Sequence, residues 1–69
     1  MLRLLASPQG LHGDYCKVYR DTEWQEFRVK FYSQGTYLAG SDYHTDDKTD
    51  AHATAERWLI LKDDKRKTN

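Results

Sequence analysis

One cysteine, one proline and four glycines are all this 69-residue chain holds of the residues that staple, stiffen or loosen a backbone. A single thiol excludes an internal disulfide framework, so stability has to come from packing, which fits a reducing cytoplasm. The chain has no apolar run near the ~20 residues that a membrane span needs, so no membrane partner is expected. The opening Met1-Leu2-Arg3-Leu4-Leu5-Ala6-Ser7 is too short for the hydrophobic region of a signal peptide, and Pro8 interrupts it. Net charge is also missing: 11 basic and 11 acidic side chains cancel. Dedicated nucleic-acid binders usually carry a basic excess, so any such contact here has to come from a local patch.

What is present is aromatic. Five Tyr, two Trp and two Phe argue for a folded chain in spite of its polar balance. At this length a fold buries only about 60% of the surface its unfolded chain exposes. One small domain results, with little room for a catalytic cleft, and the expectation is a non-enzymatic protein without cofactor or metal.

Residues 1–13 read as a lead-in ending in Gly10, Leu11, His12 and Gly13; Leu2, Leu4 and Leu5 suit either a short edge strand or half a helical turn. The domain proper is placed at 14–62 and a charged tail at 63–69. From Tyr15 to Arg20 the residues alternate, with Cys16 and Val18 on one side and Tyr15, Lys17 and Tyr19 on the other, the period of a strand. Asp21, Thr22 and Glu23 are turn formers. Phe27, Val29 and Phe31 then alternate with Glu26, Arg28, Lys30 and Tyr32, the pattern of a half-buried antiparallel strand with one wet face. Gln34 and Gly35 suit a two-residue hairpin loop, because Gly35 accepts the positive φ of the primed turns.

That loop pairs Tyr32 with Tyr37, Phe31 with Leu38, Val29 with Gly40 and Arg28 with Ser41, in a third strand from Thr36 to about Ser41. A first turn at 21–24 would set Val18 opposite Phe27 and Cys16 opposite Val29. Both registers gather apolar residues on one side, which a one-residue slip would destroy.

Beyond it, Thr45, Asp46 or Asp47 can cap a helix. Ala51, Thr54, Ala55, Trp58, Leu59 and Lys62 recur at helical spacing. The predicted architecture is α+β: a three-stranded antiparallel β-meander with one C-terminal helix packed on one face (β-β-β-α).

A lone helix covers one face, so the other is the candidate site. It collects Tyr15, Lys17, Tyr19, Arg28, Lys30, Tyr32 and Tyr37 beside Glu26. Tyrosine offers large contact area at low entropic cost, and arginine stacks and forks hydrogen bonds. Such a platform suits a protein hot spot or bases stacked beside phosphates, while cross-strand tyrosine pairs also simply stabilise hairpins.

Asp42, Asp46, Asp47 and Asp50 around His44 are accounted for by helix capping and dipole complementarity, with an acidic docking surface as the alternative. They lack the calcium-loop pattern, and no His or Cys pair has zinc-finger spacing. Cys16 on the inward side of a strand behaves as a small hydrophobe rather than a nucleophile served by His12, His44 or His52. Lys62, Lys65, Arg66 and Lys67 form a basic run interrupted by Asp63 and Asp64, a solvated helix end or a phosphate-grasping tail.

Two resemblances bear on function. Tyr19-Arg20-Asp21-Thr22-Glu23-Trp24-Gln25-Glu26-Phe27-Arg28-Val29-Lys30-Phe31, followed by Tyr43-His44-Thr45-Asp46-Asp47-Lys48-Thr49-Asp50-Ala51, resembles small accessory proteins of phages and prophages. That resemblance implies a short cytoplasmic protein that binds and blocks a host macromolecule, most often a protein, as anti-CRISPR proteins do. The β-β-β-α order is similar to the DNA-binding domains of AP2 proteins and the arm-binding domains of tyrosine recombinases. These lay a sheet in the major groove, where Lys17, Arg28 and Lys30 would supply cations. Glu26 on the same face and the neutral total charge depart from that second pattern.

Overall fold

The computed structural model describes residues 1–67. Strands β1 (Leu2–Ala6), β2 (Tyr15–Asp21), β3 (Glu26–Ser33), β4 (Thr36–Tyr37) and β5 (Tyr43–Thr45) precede one helix, α1 (Lys48–Lys67). The architecture is α+β with an antiparallel sheet and a C-terminal helix, but the sheet has five strands rather than three.

The extra strands come from the two ends of the meander. Residues 1–13 supply β1, which pairs with β2 so that Leu2 faces Asp21 and Leu4 faces Tyr19, with a bulge between Leu4 and Ala6. The strand predicted over 36–41 stops at Tyr37. Gly40 turns the chain at φ +83°, and pairing to β3 resumes at β5 with a new register. Val29 therefore faces Tyr43 instead of Gly40, and Arg28 faces His44 instead of Ser41. Of the predicted contacts along this edge, Tyr32 opposite Tyr37 forms, and the Leu38 N–H donates to the Phe31 carbonyl at 2.9 Å.

The central hairpin is corrected by two residues: Val18 faces Val29 and Cys16 faces Phe31. Its loop occupies 22–25, because one carboxylate oxygen of Asp21 accepts the N–H groups of Glu23 (3.0 Å) and Trp24 (3.3 Å) and Gln25 adopts φ +50°. A slip of two preserves the side-chain alternation, so each residue keeps its predicted face.

α1 lies across the apolar side. Asp47 is its N-cap, taking the N–H of Thr49 at 2.9 Å and of Asp50 at 3.3 Å. Ala51 and Ala55 are fully buried and let the helix approach Cys16, Val18, Val29 and Phe31 closely. Further along, Leu59 is buried and Trp58 packs on Phe31 with ring centroids 5.0 Å apart. The predicted charged tail is helical through Lys67 and tied to the fold; its residues 68 and 69 lie outside the described residues. Asp63 accepts the Leu11 N–H at 3.1 Å, and Arg66 forks onto Asp14 at 2.7 and 2.9 Å and onto the Ser33 hydroxyl at 3.2 Å. None of the described helices is long and apolar enough to cross a membrane.

Candidate functional site

Strict alternation along β2 and β3 turns Tyr15, Lys17, Tyr19, Arg28, Lys30 and Tyr32 away from α1, and the tight hairpin sets Tyr37 beside Tyr32. All seven candidate residues share this outer face. No described element lies across it: β1 extends the sheet sideways, and α1 packs on the other side. The six residues on β2 and β3 are half-buried and Tyr37 is exposed.

The face has two ends of different character. At one end the rings form a row. Tyr15 and Tyr32 stack face to face (4.6 Å between centroids, 8° between planes), and Tyr37 tilts against Tyr32 at 5.3 Å. The Lys17 ammonium lies 5.2 Å from the Tyr32 ring centroid. That of Lys30 lies 5.2 Å from Tyr37 and 5.9 Å from Tyr19. Cation–π attraction holds both lysines over the rings, and neither has a carboxylate partner among the described residues. The Tyr37 hydroxyl donates to Asp42 at 2.6 Å, and that bond raises its pKa above the ordinary phenol value.

At the other end charges are paired. Arg28 reaches Asp21 at 3.2 Å, and His44 Nδ1 lies 3.2 Å from Glu26. Sequence reasoning placed Asp21 in a turn and His44 in the acidic helix approach, and missed both as members of this face. Asp21 continues the alternation of Tyr15, Lys17 and Tyr19, a signal its turn-forming character masks, whereas His44 arrives only through the second pairing register on β3. Leu2 and Leu4, brought in by β1 opposite Asp21 and Tyr19, were missed for a similar reason.

The remaining candidates fall elsewhere. Cys16 is fully buried on the helix side, with its thiol directed at the Ala55 carbonyl at 3.8 Å, and burial pushes its pKa up to about 12. His44 is on the opposite face of the sheet, so the two form no catalytic pair. Asp47 caps the helix, while Asp50 accepts the Tyr43 hydroxyl at 2.5 Å, which lowers the Asp50 pKa. Among the described residues no cluster of three or more His, Cys, Asp or Glu could hold a metal ion. Two members of the C-terminal basic run are engaged within the fold: Arg66 with Asp14, and Lys62 over Trp58 at 5.5 Å.

No protein-family model, curated protein or solved structure matches the chain. The geometry of the outer face itself is what bears on function. It offers ring edges, phenol hydroxyls and two ammonium groups on a rigid sheet, an arrangement suited to binding a macromolecule. The groove of about 360 Å³ between α1 and the 8–11 segment, lined by Pro8, Leu11, Glu56, Leu59, Ile60 and Asp63, contains none of the candidate residues.

Proposed function

We propose that this protein is a non-enzymatic interaction module of the phage-accessory kind, which binds a host protein through its outer sheet face and blocks it sterically. The observation that carries this reading is the uncovered row Tyr15, Tyr32 and Tyr37 with Lys17 and Lys30 laid over it. Preformed aromatic anchors with a polar rim are the usual makings of a protein hot spot, because little side-chain entropy is left to lose on docking.

A nucleic-acid partner, as in the AP2-like or recombinase arm-like domains, is the second reading. The two lysines without carboxylate partners favour it. The rings favour protein: Tyr15 and Tyr32 each spend one face on the other, which reduces the surface open to stacked bases.

Affinity capture from bacterial lysate, with and without nuclease and across a salt series, separates the two. The expected result is a protein partner that survives nuclease and moderate salt. It should be lost in Tyr32→Ala and Tyr37→Ala and retained in Lys48→Ala on the far side. Loss of the partner on nuclease treatment, or a steep fall in capture with salt, would support phosphate contacts instead.

A further inference from the structure

Lys17 and Lys30 are direct cross-strand partners on the same face of the central hairpin. Like charges placed opposite one another destabilise an antiparallel pair, and a glutamate at either position would turn repulsion into attraction. The chain has carboxylates to spare, and they lie around this pair rather than within it: Asp42 at Tyr37, and Asp21 and Glu26 at the paired end.

We infer that the Lys17–Lys30 pair is a recognition site for an acidic, carboxylate-bearing segment of a protein partner, retained at the expense of fold stability. This deepens the docking reading and rests on it. Among the described residues, the field of cations without a carboxylate partner is two ammoniums wide, since Arg28 on the same face is engaged by Asp21. A field of that width fits one or two Asp or Glu side chains. A phosphate backbone tracking the face would run past the two lysines onto Asp42 at one end and onto the Arg28–Asp21 pair and Glu26 at the other. Tyr15 and Tyr32 each give one face to the other, and ammoniums lie over Tyr32, Tyr37 and Tyr19, so fewer faces are open to bases. Charge and ring geometry therefore select the same class of partner.

The stability half of the inference is tested on the isolated protein. Each single reversal also takes an ammonium off its ring, so the pair is read from the double-mutant cycle. The midpoint shifts of Lys17→Glu and Lys30→Glu should sum to roughly 2–6 °C more than the shift of the double variant, which restores like charges. Strictly additive shifts would overturn the claim that the two like charges oppose one another across the hairpin.

The recognition half uses two labelled probes, a short polyglutamate peptide and a thymidine oligonucleotide of equal charge, followed by anisotropy and by amide chemical shifts. The peptide should shift the resonances of Lys17, Lys30 and Tyr32. Its affinity should fall at least about tenfold in Lys17→Glu and persist in Lys17→Arg. Tighter binding of the oligonucleotide at the same residues would overturn the inference in favour of phosphate. Lysate capture that depends on Tyr32 but is unaffected by Lys17→Glu would overturn this inference and leave the docking reading standing. Capture indifferent to Tyr32, Tyr37 and Lys17 alike would remove the docking reading itself.

Discussion

Asp14 is 1% exposed, and a carboxylate so placed is tolerable only when paired and hydrogen-bonded. Arg66, 52 residues away, supplies both nitrogens of its fork, and this holds the Asp14 pKa below the usual carboxylate value against the opposing effect of burial. Arg66→Ala strands the carboxylate. The expected loss is about 3 kcal/mol by denaturant unfolding, the low end for a broken buried pair because Arg66 keeps an exposed flank. The pH dependence has a definite sign. A depressed folded pKa contributes stability that is complete above the unfolded value near 3.9, and that is lost as pH falls through the folded value. The stability gap between wild type and Asp14→Asn should therefore be full at neutral pH and close below about pH 4. A gap that widens in acid would exclude the pair as its source. Local pattern could not reveal this contact. Asp14 stands just before a strand and Arg66 in a charged run, and only the folded chain brings them together.

The β3–β4 hairpin is the element most readable from sequence. Gln34 (φ +49°) and Gly35 (φ +87°) make the primed turn that a two-residue loop requires, and the Tyr32–Tyr37 pair follows from it. Gly35→Ala should cost about 1–2 kcal/mol, since an L side chain in the left-handed region bears that strain. The measurement is the unfolding midpoint, with loss of the Tyr37 cross-strand contact as the structural correlate; an unchanged midpoint would mean that the turn relaxes. The β2–β3 loop was less readable. Asp21 looked like the first turn residue. It is instead the last strand residue, whose side chain caps the turn, so the loop begins one position later. Leu38, Gly40 and Ser41 continue a plausible alternation, so sequence predicts one strand over 36–41 and no strand at Tyr43–Thr45, where β5 lies. The break at Gly40 comes from backbone geometry that a glycine permits but does not announce.

As a whole molecule the chain is a thin two-layer body of about 42 × 21 × 18 Å, with one face of the sheet left to solvent. Its apolar core is small: Cys16, Val18, Phe27, Val29 and Phe31 against Ala51, Ala55 and Leu59. Typical per-residue values put the stability of such a domain at about 3–10 kcal/mol. Phe31→Ala, which removes the ring under Trp58, should cost roughly 3–5 kcal/mol. The expected outcome is a cooperative collapse in which circular dichroism and tryptophan fluorescence change together. Non-coincident transitions would instead show that helix and sheet come apart separately.

Residue type and period alone determined that this chain builds a two-sided antiparallel sheet backed by an Ala- and Trp-striped helix, and which side chains of β2 and β3 share each side. That information is local: a period of two or of 3.6 survives any register shift by an even number of residues. Tertiary structure decided the phase between strands, the recruitment of β1, the interruption of the far strand and the closure of Arg66 on Asp14. It also decided that the tyrosine rings stack on one another. Each of these depends on which backbone edges and buried charges remain unsatisfied once the central hairpin has formed, and only the folded whole settles that.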